Sequence, residues 1–405
     1  MVQKKINLCF IYPDGEEWTG EINYLNSLIT SLQYVDKKKL NLYIFSSEQR
    51  KKTLSKFINK KSIISSSFFE NYTLKKYFRS LISSLTNNDI ILRYFTKKYD
   101  IDLISHYTPS KNIPTISWIP DFQHIHYRNF FTSKEYLRRQ KLFSNFVENS
   151  KSLIVSSKDS YKTLVKIYKK KKNFYILKFV PFIKFKDIKK FDIIKKKYSL
   201  DKNYIYIPNQ FWKHKNHSIL VKAAKILKKR NIKFNFVISG NSTAGNTYDN
   251  YKFFVNKINE HKLKDYFNLL GFIPYSDVLN LIYHCKILIN PSLFEGWSTT
   301  VEEAKLLNKK MILSNIKVHK EQAHGKALFF NPHKPRDLAY KINLCLEYKH
   351  KKSNTYLLMG NEKISFRELV LAIKKNSDVA EKFVLFITIP NFFIKTFLRF
   401  FYILR

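Results

Sequence analysis

The sequence predicts an α/β protein of two doubly wound domains, and three observations carry that expectation. Apolar runs of strand length alternate with helical segments from Ile6 to Leu346, the pattern of sheets covered by helices. The 405 residues suffice for two domains of ordinary size, each with its own core. Between the halves, Phe179-Val180-Pro181-Phe182 reads as a crossing that the proline stiffens. The expected divisions are 1–180, 181–350 and a dissimilar tail, 351–405.

In the first half, Ile6 to Tyr12 reads as a strand. Gly15 and Gly20 follow it, then a helix from about Ile22 to Leu32 with Leu25, Leu28, Ile29 and Leu32 at helical spacing. Glycine at such a turn lets backbone approach a ligand closely. Further strands are expected at Leu40–Phe45, Ile101–Ser105, Thr115–Ile119 and Leu153–Val155, the last leading through Ser156-Ser157 into a helix from about Asp159 to Tyr168. Between them Leu74, Tyr77, Phe78, Leu81, Ile82 and Leu85 form an apolar stripe. Such a stripe is expected to face the core, a membrane-facing helix being the other reading. The polar run Trp118-Ile119-Pro120-Asp121-Phe122-Gln123-His124-Ile125-His126 leaves a strand end, where open sheets of this type bind ligands. Asp121 and His124 are its candidates for the site, although a cap for Asp121 and packing for His124 are equally open.

In the second half, Tyr204–Ile207 is a strand. It delivers a loop containing Gln210, Lys213, His214 and Lys215 before a helix from Ser218 to Leu227. A lysine poised there can offset the charge of a departing phosphate. Phe234–Ser239 runs into Gly240, and Leu269-Leu270 into Gly271; either glycine could simply end a strand. Met311–Ser314 is a further strand, and after Ala327-Leu328-Phe329-Phe330-Asn331-Pro332 comes a last helix from about Pro335 to Leu346.

The chain is organised around Asn290-Pro291-Ser292-Leu293-Phe294-Glu295-Gly296-Trp297-Ser298-Thr299-Thr300-Val301-Glu302-Glu303-Ala304. The buried run Ile287-Leu288-Ile289 delivers a polar loop into a helix N-terminus. Thr299-x-x-Glu302 has the spacing of a capping box, which would employ Glu302 structurally and leave Glu295 and Glu303 for other work. Amide donors and the dipole at a helix start suit a phosphate, and carboxylates accept hydrogen bonds from sugar hydroxyls. A nucleotide-sugar carries both.

The Glu295-x7-Glu303 spacing, set in Asn-Pro-Ser-x-x-Glu-Gly, resembles the signature of retaining glycosyltransferases of family 4. These have the GT-B fold, two Rossmann-like domains facing a cleft. The resemblance implies an acceptor-side first domain and a second domain that binds the nucleotide-sugar. It implies a donor site in which Glu303 holds the ribose hydroxyls and Glu295 contacts the sugar near the reacting carbon. The family's Gly-Leu-Pro is here Ser298-Thr299-Thr300, and backbone donors at Gly296, Trp297, Ser298 and Thr299 survive that change. Thr19-Gly20-x-x-x-Tyr24 is similar to the family's Gly-Gly-x-x-x-Tyr turn, so Gly20 is carried over toward the donor diphosphate. Gln210 stands where relatives have an arginine and Lys215 where they have a lysine. Gly240 and Gly271 match donor-binding turns. Relatives have His-Asp where this chain has Pro120-Asp121, leaving Asp121 and His124 as substitutes on the catalytic side. No cofactor and no metal ion are implied. The acceptor would be a growing polysaccharide or a lipid-linked glycan, as in cell-surface polysaccharide biosynthesis.

Composition bears on partners. The three cysteines Cys9, Cys285 and Cys345 are scattered and lack metal-ligand spacing, so a reducing compartment is expected. Nothing before the first strand reads as a signal peptide, which points to the cytoplasm. The formal net charge of +42 would raise nucleic acid as a partner, but the lysines are spread along the chain with no recognised nucleic-acid module. A diphosphate ligand, and an anionic surface on the inner face of the plasma membrane, suit this charge better.

The tail departs from the family. Tyr356–Val370 resembles a late segment of extended sugar-nucleotide epimerases. Phe392, Phe393, Phe397, Phe400, Phe401 and Leu404 alternate with cations, as in an interfacial helix. A second reading follows, that of a non-catalytic membrane-associated scaffold derived from such an enzyme.

Overall fold

The computed structural model describes residues 5–347, apart from 16–18, 34, 36–37, 87, 111, 170–172, 182, 184–186, 202 and 244–245. The epimerase-like and interfacial segments expected in the tail lie outside the described residues. The chain forms two compact units. Of the described residues, the first comprises those up to His124 and those from Phe131 to 182, and the second joins Ile125–Phe130 to those from Ile183 to Glu347.

The first unit holds a seven-stranded sheet made of β1 (Ile6–Ile11), β2 (Leu40–Ser46), β3 (Ile63–Ser65), β4 (Leu103–Ser105), β5 (Thr115–Ile119), β6 (Ser152–Val155) and β7 (Phe174–Ile176). Its order is β3-β2-β1-β4-β5-β6-β7, and every pairing is parallel. β3 and β7 are three-residue edge strands, too short for a sequence period to reveal. One core cluster gathers Cys9, Phe45, Phe69, Leu92, Phe95 and Ile104.

The stripe expected to face the core does the opposite. In the helix Leu74–Thr86, Leu74, Tyr77, Phe78, Leu81 and Leu85 are exposed, while Arg79 is buried. The Arg79 guanidinium meets both carboxylate oxygens of Asp89 at 2.6–3.1 Å and donates to the Tyr107 hydroxyl at 3.0 Å. A fixed fork on a carboxylate outcompetes apolar burial for the inward position.

The second unit holds β8 (Ile205–Pro208), β9 (Phe236–Ser239), β10 (Phe267–Gly271), β11 (Ile287–Asn290), β12 (Met311–Ser314) and β13 (Leu328–Phe330). The order is β10-β9-β8-β11-β12-β13, again all parallel. Both faces are covered, which is why these strands read as continuous apolar runs. Ile205, Ile207, Phe236, Ile238, Ile287, Ile289 and Ile312 pack into one cluster; Tyr204, Tyr206, Val237, Leu288, Met311 and Leu313 pack into the other. Strand alternation therefore buries apolar side chains on both sides. The strand order reverses between β8 and β11, and the loops leaving such a reversal line the ligand crevice of doubly wound sheets. Among the described residues no helix is long and apolar enough to cross a membrane.

Candidate active site

The loops leaving β8 and β11 bring Lys215 and Glu295 together. Lys215 Nζ donates to Glu295 Oε1 at 2.7 Å, with both side chains mostly buried. Ser292 Oγ donates to the same oxygen at 2.6 Å. Burial would raise the Glu295 carboxyl, but Lys215 overcomes it, helped by His214 and His319. The net result lowers Glu295 from 4.5 to about 2, so it is ionised at neutral pH. The loop around it is pinned. The Leu293 amide donates to the His214 carbonyl at 2.7 Å, and Asn216 Nδ2 donates to the Pro291 and Pro332 carbonyls at 3.2 and 2.9 Å.

Glu303 lies one turn into the helix Thr299–Leu306 and is equally buried. It accepts from the Tyr275 hydroxyl at 2.8 Å. With no cation acting on it among the described residues, burial pushes this carboxyl up to about 7. Two carboxylates on one strand-loop-helix unit are thus driven in opposite directions by their surroundings.

The capping box expected at Thr299 and Glu302 does not form. Ser298 is the N-cap and makes no side-chain cap bond, and Thr299 is the first helical residue. Glu302 instead accepts from Lys305 Nζ at 2.9 and 3.0 Å and from Gln322 Nε2 at 3.2 Å. Gln322, absent from the sequence-level candidates, also clamps the loop backbone: its Oε1 accepts from the Ser298 amide at 3.1 Å and its Nε2 donates to the Ser298 carbonyl at 2.9 Å. Asn290 Nδ2 holds Ser298 Oγ at 2.9 Å. In sequence, the one hint is that His319 and Gln322 share the face of Val318 on a short polar helix, Lys317–Ala323.

His319 is the other residue that the sequence left without a role. Its Nδ1 lies 3.0 Å from the Ser314 carbonyl, so Nδ1 carries the hydrogen and Nε2 is an acceptor. Burial lowers its pKa to about 4. Among the described residues, Nε2 of His319 and Oδ1 of Asn209 are buried without a hydrogen-bond partner. Such acceptors, like the two carboxylates, suit a ligand rich in hydroxyls.

The remaining candidates of this unit take the following places. Gln210 accepts from the Trp212 indole at 2.7 Å. Gly240 ends β9 against the β8 loop, where a Cβ would meet the Asn209 carbonyl oxygen at 2.4 Å, so close backbone approach by itself demands glycine. Gly271, at φ +66°, needs glycine for its conformation and faces open space. Gly296 and Ser298 are buried, whereas Trp297 and Thr299 are partly exposed. In this unit Tyr127 also donates to the Leu293 carbonyl at 3.0 Å, tying the Ile125–Phe130 segment to the same loop.

In the first unit the strand order reverses between β1 and β4. There the Tyr24 hydroxyl and His106 Nε2 are 2.6 Å apart, and Ser105 Oγ lies 2.7 Å from His106 Nδ1. Gly20 sits one turn before Tyr24 in the helix Thr19–Leu32. Tyr24 also packs on Trp118, with ring centroids 4.5 Å apart. His106, at φ +59° and with its pKa lowered to about 3 by burial, was not singled out in the sequence. Asp121 Oδ1 accepts from the Gln123 amide at 2.8 Å and lies 3.9 Å from Arg139. His124 is fully buried and packs against Phe122, Tyr136 and Phe143. Among the described residues no group of three or more His, Cys, Asp or Glu side chains could hold a metal ion.

Residues 189–357 match the family described as Glycosyl transferases group 1. Among solved structures, sucrose-phosphate synthase from Thermosynechococcus elongatus is similar at TM-score 0.63 and 14% identity, over 93% of this chain and 94% of that one. A glycosyltransferase from Rickettsia africae ESF-5 is similar at TM-score 0.61 and 17% identity, over 98% and 97%. Anabaena Alr3699/HepE, solved with UDP and glucose, is similar at TM-score 0.62 and 15% identity, over 93% and 95%. No curated protein sequence matches significantly. The fold is therefore GT-B, and its second unit carries a group 1 glycosyltransferase match.

Proposed function

We propose that the chain is a retaining, metal-independent glycosyltransferase that moves a sugar from a nucleoside diphosphate to a polysaccharide or lipid-linked glycan acceptor. The observation that carries this reading is the pair of buried carboxylates, Glu295 near 2 and Glu303 near 7, flanking the uncapped start of one helix. The diphosphate meets the amides from Gly296 to Thr299 and the ammonium of Lys215, which take up the charge that grows as the sugar–phosphate bond breaks. Gly240, Gly271 and Gln210 border the nucleotide, and Gly20 is the first unit's candidate for a phosphate contact. Ribose hydroxyls donate to Glu303, which binds them best when ionised. Both contacts of Glu295 fall on Oε1, leaving Oε2 to face the sugar and stabilise positive charge at its reacting carbon. Asp121 is the acceptor-side candidate, and buried His124 acts through packing. The HepE structures with UDP and with UDP-glucose support a uridine donor as the first to try.

Calorimetric titration with UDP and GDP tests the reading. One nucleotide should bind, and Lys215→Ala and Glu303→Ala should each weaken it. If the folded chain binds neither, the scaffold reading takes its place.

A further inference from the structure

We propose that the outward face of the helix Leu74–Thr86, continued by Ile90 and Tyr94, is a docking surface for an anionic lipid bilayer. Leu74 and Leu85 are 88% and 75% exposed, and Tyr77, Phe78 and Leu81 lie between them, each more than half exposed. Leu74, Phe78, Leu81 and Leu85 recur at steps of four, three and four, so they share one face. Scattered apolar residues are normal on a surface, but a contiguous face marks a binding site.

The orientation is built in. Arg79, on the opposite face, is 3% exposed and forked onto Asp89. Rolling the helix to hide its apolar side would break that buried pair and strand its charges. Charge selects the occupant. Between Asn71 and Lys98 there are six cations, Lys75, Lys76, Arg79, Arg93, Lys97 and Lys98, and one acid, Asp89, already paired with Arg79. Lys75, Lys97 and Lys98 are exposed beside the apolar face. Such a rim attracts anionic headgroups, while aromatic rings such as Tyr77 and Tyr94 suit the headgroup boundary. A second copy is disfavoured, because each chain carries a net charge of +42.

The three native cysteines are buried, so an introduced Leu81→Cys can be labelled selectively with an environment-sensitive dye in the full chain. The probe is phosphatidylcholine vesicles carrying about a third phosphatidylglycerol. The dye should shift to the blue and brighten several-fold with these vesicles and far less with phosphatidylcholine alone. A dye at Ser80→Cys, on the flank, should change less. The variant Leu74→Ser/Phe78→Ser/Leu81→Ser should lose vesicle binding about tenfold at raised salt, where screening removes purely electrostatic adsorption, while melting as the parent does. An unchanged dye, or a triple variant that binds as the parent, overturns the proposal. So does a dye already blue-shifted without lipid, which would give the face to another copy or another segment of this chain.

Discussion

Lys215 and Glu295 meet at 2.7 Å although 80 residues separate them, because one leaves β8 and the other β11 on either side of the reversal in strand order. The pair fixes a cation and an anion within reach of one ligand.

Replacing Lys215 by Met strands Glu295 in a buried site. Stability should fall by about 3–5 kcal/mol in chemical denaturation at pH 7. The Glu295 carboxyl should rise well above its value of about 2. The loss should shrink toward acid pH, where protonation relieves the stranded charge. Equal losses at pH 4 and pH 7 would disconnect the two residues.

Glu303 makes donor binding pH-dependent. Its folded pKa of about 7 lies above the ordinary 4.5, so the folded state holds a proton that the unfolded state has lost. This group's contribution to stability is full below about 4.5, declines as pH rises, and is lost above about 7. Glu303→Gln should flatten that slope. Ribose hydroxyls favour the ionised form, so nucleotide binding near pH 6 should release a proton. Calorimetry in buffers of different ionisation enthalpy reads that release, and identical heats in all buffers would contradict it.

Gln322→Ala removes the acceptor of the Ser298 amide, one of the donors to the Ser298 carbonyl, which keeps the Glu302 amide, and one partner of the Glu302 carboxylate. Stability should drop by about 1–3 kcal/mol, since buried polar groups are left unsatisfied. Nucleotide affinity should fall with it, because the amides of the loop lose their fixed direction. A variant that melts like the parent and binds like the parent would show that the clamp has no role.

The two glycines should respond differently to alanine. At Gly240 the new Cβ would lie 2.4 Å from the Asn209 carbonyl oxygen, so the backbone must move and the unit should be strongly destabilised. At Gly271 the cost should be limited to about 1–2 kcal/mol for the left-handed conformation, since the space is open. Thermal melts of the two variants decide the order.

Much of the fold was legible in the sequence because parallel strands buried on both faces leave apolar runs. Thr115–Ile119 and Met311–Ser314 are strands with the bounds expected from sequence. What escaped depended on distant partners. Periodicity showed which residues of Leu74–Thr86 share a face, but the direction of that face was set by Arg79 reaching Asp89. Thr299 and Glu302 had the spacing of a cap, but Lys305 and Gln322 hold Glu302 elsewhere. In the site, Glu295, Glu303 and Lys215 stood out through motif spacing. Gln322 and His319 did not, because burial beside a particular loop gives each its part.

The most direct measurement is nucleoside diphosphate release from a panel of UDP- and GDP-sugars, with the anomeric configuration of the product followed by proton NMR. The account predicts that one donor is consumed with retained configuration and that Glu295→Gln slows release by about 10²–10³-fold. Inverted product, or a Glu295→Gln variant as fast as the parent, would contradict it.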